Sequence, residues 1–121
     1  MAKKIFQQGE VIFRQGDAAG CMYDIYWGKV GIYADYGTPQ ERLLTELHDE
    51  NFFGELGMID GEPRSATAVA LADDTRVETI SEAEFAAYFK EKPLRVLQIM
   101  GHMCKRIREL SNTQQTSYEH G

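Results

Sequence analysis

Short segments with alternating apolar and polar residues run from residue 4 to about residue 80. Glycine, aspartate, proline or asparagine separates each segment from the next, which is typical of a β-sandwich or barrel. The pattern predicts strands at Lys4 to Phe6, Val11 to Phe13, Met22 to Trp27, Lys29 to Ala34, Arg42 to Leu47, Thr67 to Leu71 and Arg76 to Ile80. In the third of these, Tyr23, Ile25 and Trp27 occupy every second position, so we expect all three inside the sandwich.

The pattern changes to a helical one after Ile80. Ser81 and Glu84 have the spacing of a capping box, which predicts a helix from there to about Lys90. Pro93 begins a second helix, in which apolar residues recur at helical spacing. They are Leu94, Leu97, Met100, Met103, Ile107 and Leu110. We expect this face to pack in the core, with a lid over a bound ligand or a seam between two copies of the chain as alternatives.

Composition narrows the classes of function. A chain of 121 residues with a net charge of -6 and a pI near 5.0 fits one domain and argues against direct binding to nucleic acid. Cys21 and Cys104 lack the spacing of a disulfide framework or a zinc site, and the three histidines are scattered singly. No apolar run has the length of a signal core or membrane span, so we expect a cytoplasmic protein without a membrane partner.

Residues 53–68 carry the pattern that folding alone does not explain. Gly54 and Gly57 allow the backbone to approach a ligand closely, and Glu55 precedes Arg64 by nine residues. A short helical turn from Gly54 to Ile59 would offer free amides to a phosphate, and Arg64 would add a planar, permanently charged donor.

These donors suit an anion with a single charge. Because the protein is acidic, local donors must bind the anion without help from long-range attraction. A cyclic phosphodiester carries one negative charge, and its sugar could give a hydroxyl proton to Glu55. The alternative is that the glycines only shape a surface turn, on which Glu55 and Arg64 form an ordinary ion pair.

Two segments of this region resemble the phosphate-binding cassette of cyclic nucleotide-binding domains: Phe53-Gly54-Glu55-Leu56 and Pro63-Arg64-Ser65-Ala66-Thr67. The resemblance extends to residues 9–17, to Met22-Tyr23 and to Gly28-Lys29-Val30. It implies a mainly β fold with C-terminal α-helices, namely a double-stranded β-helix, or jelly-roll-like β roll, with a short cassette helix and two C-terminal helices. The expected organisation is one domain over residues 1–121, with the roll at about 4–80 and the helices at about 82–116.

The resemblance also implies ligand contacts. Glu55 would bind the ribose 2′-hydroxyl and Arg64 the cyclic phosphate, with help from backbone amides around Gly54, Leu56, Gly57, Ser65 and Ala66. Gly57 stands where many relatives carry alanine, which leaves its amide available. Leu110 and Ser111 align with the residues that cover the base, but the apolar Leu110 argues against a contact specific for adenine.

We therefore expect a stand-alone, bacterial-type sensor that binds cAMP in preference to cGMP and catalyses no reaction. The residues of the cassette do not by themselves distinguish adenine from guanine. The ligand would close the C-terminal helices over the base, with no cofactor or metal. Output would pass through a homodimer or an effector protein. The alternative is a regulatory or dimerisation domain of the same fold that binds no nucleotide.

Overall fold

The computed structural model describes the backbone of residues 1–120 and the side chains of residues 1–105, 107 and 108. The chain forms two compact units, one over Met1–Ala86 and one that begins at Ala87. The elements, in chain order, are β1 (Ala2–Phe6), β2 (Val11–Phe13), β3 (Cys21–Trp27), β4 (Val30–Ala34), β5 (Arg42–Leu47), β6 (Phe52–Phe53), α1 (Glu55–Asp60), β7 (Thr67–Ala70), β8 (Thr75–Ser81), α2 (Phe85–Glu91) and α3 (Pro93–His120).

The first unit contains two antiparallel four-stranded sheets. One has the strand order β1-β8-β3-β6 and the other β2-β7-β4-β5. Both sheets combine strands from the start and the end of the unit, so the chain rolls back on itself before α2 begins. The predicted mainly β fold with C-terminal helices is confirmed, whereas one domain over residues 1–121 stays a prediction.

The core of the first unit is apolar and rich in aromatic rings. Tyr23 and Phe53 stack with ring centroids 4.9 Å apart, and Phe13 contacts both rings. The buried cluster consists of Tyr23, Ile25, Val30, Phe53, Ala68 and Val77. Burying a large side chain of this kind contributes about 1.5 to 3 kcal/mol. The cluster therefore holds β6 against β3, directly before the segment that begins at Gly54.

Trp27 corrects one prediction, because its side chain is 58% exposed rather than inside. Ile25 pairs with Val77 of β8, and Trp27 pairs with Arg76, the neighbour of Val77 in β8. Two steps along β3 thus correspond to one step along β8, so Tyr26 is an extra residue in β3. Such a bulge breaks the alternation of faces along a strand. Tyr23 and Ile25 are buried as expected.

Most of the other predicted elements are confirmed to within a residue or two, and Val11–Phe13 and Arg42–Leu47 match in full. The sequence did not predict β6, whose two residues pair with Tyr23 and Asp24 of β3. The Ser81 and Glu84 capping box is present, with Ser81 N–H donating to Glu84 Oε1 and Glu84 N–H to Ser81 Oγ. The helix itself begins only at Phe85.

The apolar side chains of α3 correct a second prediction. Leu94, Leu97, Met100 and Ile107 are all more than half exposed, so they do not pack in a core. Among the described side chains of α3, those of Val96 and Ile99 are buried. Each helical residue turns the chain by about 100°, so Leu94 and Leu97 point away from the mean direction of those two side chains, by about 170° and about 130°. Met100 lies at the edge of the buried face, about 70° from the same direction. In the part of the chain that the structure describes, no helix has both the length and the apolar character needed to cross a membrane.

Candidate functional site

The segment from Gly54 to Ala66, hereafter the cassette, folds back on itself around α1. Gly54 has a left-handed φ of 76° and turns the chain from β6 into the helix. Gly61, with a φ of 73°, ends the helix and donates its N–H to Gly57 O. The return segment then leads into β7 at Thr67. The predicted short helical turn is thus present, and it brings the two ends of the cassette together.

Arg64 points back to the start of the cassette. Its side chain is buried, with Nη1 donating to Gly54 O over 2.8 Å and Nη2 to Cys21 O over 2.6 Å. The guanidinium carbon lies 4.2 Å from the centroid of the Phe13 ring, which allows a cation–π contact. Nε is also buried and has no hydrogen-bond partner among the residues that the structure describes. The guanidinium therefore retains a buried, unused donor at Nε.

Glu55 lies next to the residue that Arg64 contacts. It directly follows Gly54, occupies the first turn of α1 and is only 4% exposed. A carboxylate is favourable there because the amino end of a helix carries partial positive charge. Glu55 and Arg64 are both buried, which argues against the alternative of an ordinary ion pair on a surface turn.

The other predicted contact residues lie within the cassette. Gly57 and Ala66 are buried, Gly54 and Leu56 are half-buried, and Ser65 is exposed. The first amides of a helix have no acceptor within that helix, so those of the first turn of α1 suit an external acceptor. Leu110 and Ser111 lie outside the described side chains.

Within the described residues, no three His, Cys, Asp or Glu side chains are grouped so that they could hold a metal ion.

Three residues of the site were not assigned a role from the sequence. Phe13 and Tyr23 supply the aromatic surface under Arg64, and Cys21 supplies a carbonyl oxygen. Burial raises the pKa of Tyr23 to about 12 and Cys21 adds to the increase, whereas the Arg64 guanidinium opposes it. Tyr23 therefore stays neutral at physiological pH. The segments with resemblance to the family included Phe13 and Tyr23, but only the fold shows that they meet Arg64.

A family profile described as "Cyclic nucleotide-binding domain" matches residues 3–92. Among characterised proteins, the chain is similar to the cyclic AMP receptor protein of Thermus thermophilus. The two are 32% identical over 107 residues, which cover 88% of this chain and 49% of the relative. It is also 37% identical over 78 residues to the cAMP-dependent protein kinase regulatory subunit of Dictyostelium discoideum, covering 60% of this chain and 23% of that protein.

Solved structures show the same similarity in three dimensions. The crystal structure of the Thermus thermophilus catabolite activator protein superposes with a TM-score of 0.79 at 31% identity. The match covers 91% of this chain and 51% of the other. This chain thus spans about half the length of the Thermus relative.

Proposed function

This chain belongs to the family of cyclic nucleotide-binding domains, and from that premise we propose that it binds a cyclic purine nucleotide monophosphate between Arg64 and Glu55. The observation that carries this assignment of residues is the buried Arg64 guanidinium, which reaches Gly54 O and keeps an unused donor at Nε. A buried donor without an acceptor is costly, and a ligand oxygen would remove that cost.

The phosphate is the group that best matches Arg64. Its two terminal nitrogens donate to neutral carbonyl oxygens, those of Gly54 and Cys21. A phosphate carries a charge opposite to that of the guanidinium and can accept two of its parallel N–H groups, so a phosphate oxygen can replace a carbonyl as acceptor. One arginine with several backbone amides neutralises a single negative charge, which agrees with a protein whose net charge is -6.

Glu55 is the group proposed for the sugar. A carboxylate accepts hydrogen bonds, so its favourable contact with a nucleotide would be to a donor group of the ligand and not to the phosphate. The ribose 2′-hydroxyl is such a donor at the opposite end of a cyclic nucleotide. Arg64 and Glu55 would then recognise the phosphate and the sugar separately, and neither residue would choose the base.

For the base we propose adenine over guanine. The two relatives described above are named for cAMP, which supports this preference. The cassette itself offers one exposed hydroxyl, that of Ser65, and a hydroxyl can bond to a phosphate or to a guanine edge. The preference therefore depends on residues outside Glu55 and Arg64.

Calorimetric titration with cAMP, cGMP and linear 5′-AMP tests the proposal. We expect saturable binding of cAMP, weaker binding of cGMP and much weaker binding of 5′-AMP, whose phosphate is no longer part of a ring. Recovery of unchanged cAMP after long incubation is expected, because we propose binding without catalysis. The absence of binding heat and of any rise in melting temperature with cAMP or cGMP would refute the proposal.

We also propose that the nucleotide alters the C-terminal helices and closes them over the base. A ligand shifts such an equilibrium only by its difference in affinity for the two states. Amide hydrogen exchange followed by mass spectrometry would then show slower exchange in α2 and in the first turns of α3 when cAMP is added. Identical exchange in these helices with and without saturating cAMP would contradict the closure while leaving binding itself unaffected.

A second candidate function is dimerisation or partner binding through α3 without a nucleotide. The observation in its favour is the row of exposed apolar residues Leu94, Leu97, Met100 and Ile107. Sedimentation equilibrium of the protein and of Leu97→Lys, with exposed Glu82→Lys as control, tests it. This function predicts a dimer that Leu97→Lys dissociates and Glu82→Lys does not. A wild-type protein that remains a monomer at high concentration would exclude self-association.

Stand-alone action and a cytoplasmic location stay predictions from the sequence.

A further inference from the structure

The turn between β2 and β3 is held together by its own hydrogen bonds. Arg14 N–H donates to Asp17 Oδ2 over 2.9 Å, and Asp17 N–H donates to Arg14 O over 3.0 Å. An aspartate that bonds nearby backbone in this way stabilises a tight turn. Residues 14–17, hereafter the β2–β3 turn, therefore have a defined shape against which other parts of the chain can pack.

This turn fixes the main chain of Arg64. Gly16 N–H donates to Arg64 O over 2.8 Å, and Arg64 N–H donates to Asp17 O over 2.8 Å. Gln15 N–H donates to Thr67 Oγ1 over 3.0 Å, just beyond the end of the cassette. Both backbone hydrogen-bonding groups of Arg64 are thus satisfied by the β2–β3 turn.

The residues that follow the turn contact the other half of the cassette at Gly57. A Cβ atom added to Gly57 would lie less than 3.0 Å from Ala19 Cβ, a separation that real Cβ atoms essentially never show. It would also lie 3.2 Å from Glu62 O. Neither obstacle is the end of a flexible side chain, so a residue larger than glycine would force backbone to move. The alanine that many relatives carry at this position does not fit beside Ala19.

We propose that Ala19 is a positioning residue for the nucleotide site. Its methyl group occupies the space that a side chain at position 57 would need, and so sets how closely α1 lies against the chain that holds Arg64. The proposal rests on the proposed function, because its consequence is the relative placement of the α1 amides and the Arg64 donors around one phosphate. A side chain at position 57 and the methyl group of Ala19 exclude each other.

A double-mutant cycle tests the proposal with four proteins: wild type, Gly57→Ala, Ala19→Gly and the double variant. Gly57→Ala is expected to bind cAMP roughly tenfold more weakly, since overpacking displaces α1. Alanine forms helix better than glycine, so helix propensity cannot cause that loss. Ala19→Gly alone should also weaken binding, because α1 loses the methyl group that sets its spacing. In the double variant the methyl group at position 57 takes the place of the missing one, so most of the affinity should return. Gly20→Ala is the matched control, because an added Cβ there meets nothing within 4 Å.

Melting temperatures without nucleotide separate positioning from simple packing. If Gly57→Ala melts lower but binds cAMP as tightly as wild type while folded, the contact is structural only and the proposal is wrong. Equal losses in the Gly57→Ala and double variants would also overturn it. If wild type itself binds no cyclic nucleotide, the proposed function fails and the positioning role fails with it. The order of melting temperatures then still shows whether residues 19 and 57 exclude each other.

Discussion

The Arg64 guanidinium carbon lies 4.2 Å from the centroid of the Phe13 ring, so the positive charge proposed for ligand binding rests on the aromatic core. Phe13 also packs against Tyr23 and Phe53 of that core. A change at Arg64 is therefore expected to alter both stability and ligand affinity, and the two effects need separate measurements.

Replacing Arg64 by alanine is expected to weaken cAMP binding at least roughly tenfold, because charged hydrogen bonds contribute about 1.5 to 3 kcal/mol each. It should also lower the free energy of unfolding by roughly 1 to 3 kcal/mol, since the carbonyls of Gly54 and Cys21 lose their donor. Calorimetry and urea denaturation measure the two quantities. Arg42→Ala, at an exposed arginine of β5, should change neither. Unchanged affinity in a folded Arg64→Ala protein would contradict the role of Arg64.

Gly54 and Gly37 form a matched pair for testing the close approach of Arg64. Both have a left-handed φ, 76° and 81°, so alanine costs backbone strain of about 1 kcal/mol at either position. An added Cβ at Gly54 would lie 2.6 Å from Arg64 Nη1, whereas at Gly37 it meets nothing within 4 Å. Both variants should therefore lose stability, but only Gly54→Ala should lose affinity for cAMP. Equal affinity in the two variants would show that Arg64 adjusts without consequence for binding.

Tyr23 predicts a specific loss of stability in alkaline solution. Its pKa is about 12 in the folded protein and 10.0 as the ordinary value, so between these pH values the unfolded state has released a proton that the folded state keeps. The free energy of unfolding then falls as pH rises through this window, whereas below pH 10 the contribution is fully present. The difference of about 2 in pKa corresponds to roughly 2 to 3 kcal/mol.

Urea denaturation at several pH values between 9 and 12 measures this effect. Tyr23→Phe should lack this part of the decline, and Tyr26→Phe, at an exposed tyrosine of the same strand, should keep it. Parallel curves for wild type and Tyr23→Phe would show that the Tyr23 hydroxyl is not held neutral by burial.

The fold was largely predictable because its strands have clear apolar segments and turn residues between them. Trp27 was mispredicted because a bulge depends on pairing with β8, which periodicity within one strand cannot show. β6 was missed because two residues carry no periodicity, and they form a strand only by pairing with β3. The apolar spacing of α3 predicted a helix correctly but not which of its faces is buried.

The site was predictable to a different extent. Sequence spacing indicated that Glu55 and Arg64 belong to one folded-back segment, and the structure buries both at the start and end of that segment. The acceptors of the Arg64 donors could not be predicted, since Cys21 O is 43 residues away in sequence and backbone atoms carry no residue signal. The exclusion between Ala19 and a side chain at position 57 likewise depends on distances that only the fold defines.

The most direct test of the account compares cAMP with 2′-deoxy-cAMP in wild type and in Glu55→Gln by calorimetry. If Glu55 accepts from the ribose hydroxyl while Arg64 holds the phosphate, wild type should bind the deoxy ligand roughly tenfold or more weakly. Glu55→Gln should show a much smaller ratio, because a neutral acceptor forms a weaker bond with the same hydroxyl. Equal affinity of wild type for both nucleotides, or the same ratio in Glu55→Gln, would contradict recognition of the sugar by Glu55.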